Sequence, residues 1–143
     1  MFLKKRKSVI VAGCGRLGAC LAGSLSEQGN SVIVIDKDKD SFRRLPLNFS
    51  GFELEGDATD YKILLSAGIS QVDILVAATD DDNVNCMIAQ IGSRVCGIEK
   101  VFTRLHDTSK EKILDGYNIK AIYPAKLSIE EFQRLSGIQL AEV

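Results

Sequence analysis

The feature that constrains this chain most is VIVAGCGRLG, Val9 to Gly18. The apolar run Val9 to Ala12 reads as a strand buried on both faces, and it ends in Gly13, Gly15 and Gly18, the G-x-G-x-x-G spacing. Leu17, Leu21 and Leu25 then recur every four residues, with Cys20 and Ser24 in the same stripe, and Gly29-Asn30 supplies a helix stop. A buried strand turning directly into a helix through glycines is the opening of a parallel α/β unit.

The rest of the chain repeats that alternation. Strands are predicted at Ser31 to Asp36, Gly51 to Glu55, Val72 to Thr79, Lys100 to Arg104 and Ile119 to Tyr123. Helices are predicted at Lys37 to Leu45, stopped by Pro46, and at Thr59 to Ala67, ended by Gly68. A third opens among Asp80, Asp81 and Asp82 with an apolar stripe of Val84, Met87, Ile88, Ile91 and Val95 and ends at Gly97. Two more cover Ser109 to Leu114 and Ala125 to Leu135. Six strands alternating with helices require right-handed crossovers, which gives an α/β fold of Rossmann type, doubly wound around a six-stranded parallel sheet. At 143 residues, with neither linker nor internal repeat, residues 1–143 read as one domain.

In such a fold Gly13 permits the tight turn, Gly15 lets a pyrophosphate approach the backbone, and Gly18 brings helix and strand together. The free N–H groups and dipole of the first helical turn favour a phosphate there. Asp36 ends the second strand, where a carboxylate accepts the ribose hydroxyls of an adenosine and repels a 2′-phosphate, favouring NAD over NADP. Asp57, Thr79 and Arg104 fall at the carboxyl ends of strands, the edge at which open parallel sheets bind ligands. Arg16 reads equally as a phosphate contact or a solvated helix-start residue, Asp80 to Asp82 as acids favoured by a helix dipole, and Arg104 as a partner for one of them.

The composition is that of an ordinary globular protein, 45% hydrophobic and 26% charged with a net charge of −1, and gives no basic surplus for nucleic acid. Cys14, Cys20, Cys86 and Cys96 form no C-x-x-C pair and His106 is the one histidine, so a metal site is not expected and small buried thiols are. MFLKKRKSVIVAG imitates a signal peptide, but its apolar run breaks at Gly13 and is better used as the first strand. Lys4 to Lys7 read as a solvated tail. No stretch approaches the roughly 18 to 20 apolar residues of a membrane span.

Taken together, VIVAGCGRLG, VIVID, the E-G-D-A-T of Glu55 to Thr59, LLSAGISQVDILVAATDDDNVN from Leu64 to Asn85, and TRLHD from Thr103 to Asp107 resemble the TrkA N-terminal or RCK family. These are cytoplasmic regulatory subunits of Trk and Ktr potassium transporters. The D-A-T and A-T-x-x-D-x-x-N elements carry the resemblance more specifically than the glycines. It implies that Gly13, Cys14, Gly15, Arg16, Leu17 and Gly18 hold phosphates, and that Asp36, with Lys37 beside it, holds the adenosine ribose. Asp57 and Ala58 would lie beside the adenine, Thr79 and Asp80 would border ribose and phosphate, and Arg104 would face the phosphate end. The implied ligands are NAD(H) or an adenine nucleotide, ATP, ADP or AMP. The implied partners are a membrane potassium transporter subunit and further copies of the chain, as a dimer or ring. The helix from Ala125 matches the family's crossover helix. Family members usually continue into a second, C-terminal ligand domain, so by the resemblance this chain is either a short subunit or a half whose partner domain is a separate chain.

Neither a substrate domain nor a catalytic acid and base over a nicotinamide is visible, so a regulatory subunit ranks ahead of an NAD-dependent dehydrogenase fragment. Residues 125–143 read as a helical arm. Leu127, Ile129, Phe132, Leu135, Ile138 and Leu140 are more apolar than a free terminus needs, which predicts a symmetric homodimer.

Overall fold

A computed structural model describes residues 5–141. Six parallel strands form one sheet in the order β3-β2-β1-β4-β5-β6. They are β1 (Ser8–Ala12), β2 (Ser31–Asp36), β3 (Phe52–Glu55), β4 (Ile74–Ala77), β5 (Lys100–Arg104) and β6 (Ile119–Ile122). The chain runs outward from β1 to β3, then returns to pair β4 against the other side of β1, with Val9 opposite both Val32 and Ile74. The order reverses between β1 and β4, and this switch point opens a crevice at the carboxyl edge of the sheet.

Both faces of the central strands are buried, as their unbroken apolar sequences require. Ile10, Ala12, Ile35, Leu75, Ala77 and Val101 point to one face. There they meet α2 (Tyr61–Ser66), capped by the Asp60 side chain, and α3 (Asp82–Gln90), capped by Asp81. Val9, Val11, Val32, Val34 and Val76 point to the other face, against α1 (Arg16–Glu27) and a 3-10 turn at Lys39–Arg44 that buries Phe42.

Helix α1 corrects the stripe read from its leucines. Its buried face is Gly18, Ala19, Ala22, Gly23 and Ser26, whereas Leu17, Leu21 and Leu25 are half-buried flanks and Cys20 and Ser24 are exposed. Small residues let the helix axis approach the sheet closely, and a four-residue leucine spacing alone does not reveal that. In α3, Ile88 is fully buried as expected, but Met87 is 49% and Val95 64% exposed. The inward face runs through Asn85, Cys86, Ile88 and Ala89, and a π turn at Ile91–Val95 then changes the helical phase.

The segments Lys39–Arg44 and Thr108–Leu114 are 3-10 rather than α, each started by an aspartate cap, Asp38 and Asp107. Final helix α4 (Pro124–Ser136) starts with Pro at its first turn and buries none of its residues. Lys5 and Arg6 are exposed, and the Lys7 N–H donates to Asn30 Oδ1 at 3.1 Å. Lys4, Glu142 and Val143 lie outside the described residues. No helix among those described is long and apolar enough to cross a membrane.

Candidate functional site

The crevice at the switch point is a cleft of about 400 Å³. Of the residues singled out from sequence, it is lined by Gly13, Gly15, Asp36, Lys37, Asp57, Ala58, Thr79, Asp80 and Arg104. Cys14, Arg16, Leu17 and Gly18 do not line it. Cys14 and Gly18 are buried, Leu17 is half-buried against the core, and Arg16 is exposed. Ser41, Arg44, Val84 and Ile88 line it without having been singled out as site residues. Ser41 and Arg44 reach it because the 3-10 turn after β2 folds back over the strand ends.

The three glycines divide their work by position. Gly13 has φ +105°, and a side chain there would sit 2.6 Å from the Ala78 carbonyl oxygen, so it allows both the turn and the close approach of β4. A Cβ on Gly18 would lie 1.8 Å from the Gly13 carbonyl oxygen, so Gly18 seats α1 against the turn. A Cβ on Gly15 would meet nothing within 4 Å and would project into open space. Gly15 is also the residue before α1, where unsatisfied N–H groups collect.

Asp36 is fixed by the backbone of two segments. Its Oδ2 accepts from the Cys14 N–H at 2.8 Å and its Oδ1 from the Asp38 N–H at 2.9 Å. The Cys14 contribution is therefore a main-chain one, and its buried thiol is pushed up to about 11 by burial and by the nearby Asp36 charge. At the end of neighbouring β3, Asp57 accepts from the Thr59 N–H at 2.9 Å and from its hydroxyl at 2.7 Å. Those two bonds hold the Asp57 carboxyl below the usual carboxylate range, so it is ionised at neutral pH.

Among the described residues, the basic side chains of the cleft make no close ion pair with the acids around them. The ion pairs among the described residues are Arg43 with Asp40 and Arg134 with Glu131, which leaves Lys37, Arg44 and Arg104 without a paired carboxylate. Arg104 Nε is buried and has no hydrogen-bond partner among the described residues. The pairing of Arg104 with one of the three aspartates does not occur.

Those aspartates have separate roles. Asp80 lines the cleft, while Asp81 caps α3 by accepting from the Asn83 and Val84 N–H groups. Asp82, 9% exposed, accepts from the His106 N–H at 2.9 Å and the Asp107 N–H at 2.9 Å, tying α3 to the turn after β5. Asn85, completely buried, bonds to Thr79 and to the Arg104 carbonyl. The A-T-x-x-D-x-x-N spacing is thus a set of clamps, and a buried Asn one helical turn after a capping Asp is the signal by which they are found. His106 is exposed and lies outside the cleft.

Residues 9–124 match the TrkA-N domain family model. The chain belongs to the TrkA-N domain family. The Trk system potassium uptake protein TrkA of Streptomyces coelicolor is 31% identical over 149 residues, covering 94% of this chain and 67% of that protein. The TrkA homologue of Pyrococcus abyssi is 31% identical over 107 residues, covering 75% of this chain and 47% of that protein. The chain therefore corresponds to about half to two thirds of these relatives. Among solved structures, Shewanella denitrificans Kef CTD in its AMP-bound form has a TM-score of 0.67 at 24% identity, over 90% of this chain and 81% of that one. The GsuK channel bound to NAD has a TM-score of 0.71 at 13% identity, over 92% of this chain and 24% of that one. These TrkA-N relatives and neighbours support the doubly wound sheet read from the sequence.

Proposed function

We propose that this TrkA-N chain is a cytoplasmic, nucleotide-binding regulatory subunit of a Trk or Ktr type potassium uptake system, held at the inner face of the membrane through its transporter. The observation that carries the reading is the cleft itself. Open space over Gly15 stands beside a backbone-anchored Asp36, with ionised Asp57 after the neighbouring strand and Lys37, Arg44 and Arg104 in the lining. An adenosine ribose suits Asp36, and phosphates suit the helix N-terminus and the cations. NAD(H), ATP, ADP and AMP share those groups, and relatives in fold are bound to AMP and to NAD. The main-chain N–H groups of Gly15 to Gly18, rather than the Arg16 and Leu17 side chains, serve the phosphates in this reading, since the Cys14 N–H is spent on Asp36.

Hydride transfer fits the chain less well. A dehydrogenase needs an acid or base over the nicotinamide, and His106 stands apart from the cleft. Residues 1–143 would act as one nucleotide-binding domain, with 125–143 as an arm that joins copies into a dimer or ring. Calorimetric titration with ADP, ATP, AMP and NAD tests the reading. Saturable one-site binding of at least one of them is expected, and no heat from any at millimolar concentration would overturn it.

A further inference from the structure

Resting on the nucleotide reading of the cleft, the structure assigns Asn85 a task of its own. We propose that Asn85 is the positioning residue of the phosphate end: it sets where Thr79 and Arg104 stand, and so governs phosphate binding without touching the ligand. The β4–β5 ladder ends at the pair Ala77 and Thr103. Thr79 and Arg104, cleft residues beyond that pair on the two strands, are joined through the Asn85 side chain reaching up from α3.

That side chain is used to capacity. Its Oδ1 accepts from the Thr79 N–H at 2.8 Å and the Thr79 hydroxyl at 2.6 Å, and its Nδ2 donates to the Thr79 carbonyl at 3.0 Å and the Arg104 carbonyl at 2.9 Å. Two donors and two lone pairs are all that a carboxamide has. It is fully buried, so no water competes for them. Arg104 projects into the cleft with a buried, unpartnered Nε, a donor aimed by its backbone rather than by a neighbouring side chain. Fixing that carbonyl fixes where the guanidinium begins. Asp36 ends β2, and Asp57 and Ala58 follow β3, both strands lying on the other side of β1, so these residues are outside this linkage. The prediction is a selective one, in which phosphate recognition suffers and adenosine recognition does not.

The test uses the full chain, with ADP followed by calorimetry and adenosine by chemical-shift titration. Asn85→Ser and Asn85→Asp, the latter keeping the acceptor for Thr79 but unable to donate to either carbonyl, should each weaken ADP about tenfold. Adenosine should stay within twofold. Arg104→Gln should weaken ADP similarly, and the Asn85→Ser, Arg104→Gln double variant should lose clearly less than the two single losses added together, because part of the Asn85 effect passes through Arg104. Asp82→Ala removes a comparable clamp from the same helical turn and should lower the melting temperature while leaving the ratio of ADP to adenosine affinity unchanged. Equal losses of both ligands, additive losses in the double variant, or unchanged ADP binding would overturn the assignment. So would failure of both Asn85 variants to fold. If the parent binds neither ligand, the nucleotide reading itself falls, which the parent titration shows before any variant is made.

Discussion

Gly15 and Gly18 stand three residues apart in one motif, yet the structure predicts opposite consequences for substituting them. In Gly18→Ala the new Cβ would lie 1.8 Å from the Gly13 carbonyl oxygen and 2.9 Å from its carbon. The closest ordinary C···O approach is about 3.3 Å, so helix α1 must retreat by roughly 1.5 Å or the turn must deform. Both atoms are backbone, and Gly13 is itself held by an N–H bond to the Ile35 carbonyl at 2.8 Å, so neither yields cheaply. Overpacking of this kind costs about 1–3 kcal/mol or more. For a domain of this size that is a fall in melting temperature of roughly 3–15 °C. In Gly15→Val the side chain enters space with nothing within 4 Å, and φ −81°, ψ −162° is an extended conformation that suits a β-branched residue. Its melting temperature should stay within about 3 °C of the parent, the residual being loss of a glycine before the helix. Its affinity for ADP and NAD should fall at least tenfold, because the isopropyl group occupies the volume a pyrophosphate needs. Thermal denaturation followed by circular dichroism, paired with calorimetric titration, separates the two. A Gly18→Ala protein melting with the parent, or a Gly15→Val protein binding ADP with parental affinity, would refute the division of labour.

Asp36→Ala should weaken ADP and NAD by about tenfold or more, as expected for loss of charged hydrogen bonds to a ribose, and should weaken NADP least; parental affinity for NAD in calorimetry would remove Asp36 from the site. Because the folded Asp57 carboxyl titrates below its unfolded value of about 3.9, its contribution to stability is complete above that pH and lost as pH falls through the lower folded value. Thr59→Ala should therefore reduce the loss of stability as pH falls below the unfolded value in acid denaturation curves, and an unchanged acid limb would contradict it. At neutral pH iodoacetamide should label exposed Cys20 in the native protein and leave Cys14 and Cys86 unmodified until denaturant is added, read by mass spectrometry of the digested chain. Light scattering should show the full chain as a dimer at micromolar concentration and a version ending at Tyr123 as a monomer, whereas a monomeric full chain would sink the role given to the arm.

The sequence was most informative where one residue type answers one physical need. Strands β1 and β2 carry no polar residue between their ends, in Val9–Ala12 and Val32–Ile35, because both faces pack on the core, and Gly13 must be glycine to accept both a positive φ and the β4 backbone. Asp36 was legible because its place in the alternation fixes it at a strand end. Where several arrangements satisfy one pattern, the reading failed. Leucines at Leu17, Leu21 and Leu25 describe a helical stripe, but the sheet selected the smaller residues beside them. Val95 continued the period of α3 on paper, and the π turn shifted it into solvent. Arg44 and Ser41 joined the cleft through a 3-10 turn whose direction no local periodicity encodes. The clamps of Asp82 and Asn85 were visible as a spacing, but their partners at residues 104, 106 and 107 are 19 to 25 positions away and became definable only once β5 lay beside β4.

Those clamps also bear on how a nucleotide in this cleft would reach another molecule. On the β4–β5 side, the cleft is connected through Asn85 and Asp82 to the turn after β5, and there the Leu105 N–H donates to the Ile122 carbonyl at 3.0 Å. Ile122 is one residue before Tyr123, which packs with Leu105, Leu114 and Cys86 and immediately precedes α4. Burial, with the Glu111 carboxylate nearby, pushes the Tyr123 hydroxyl up to about 12, so this junction stays neutral and apolar in character. Helix α4 then leaves it with no buried residue and with Leu127, Phe132 and Leu135 at least half exposed. The elements that would feel a phosphate are thus bonded, residue to residue, to the base of the helix proposed to meet a second copy. The β2–β3 side, which would hold the adenosine, has no such continuation toward α4. In this arrangement ligands that share adenosine but differ in their phosphates would occupy the same cleft and load the arm differently, which is what a sensor of nucleotide state requires and what a catalyst does not.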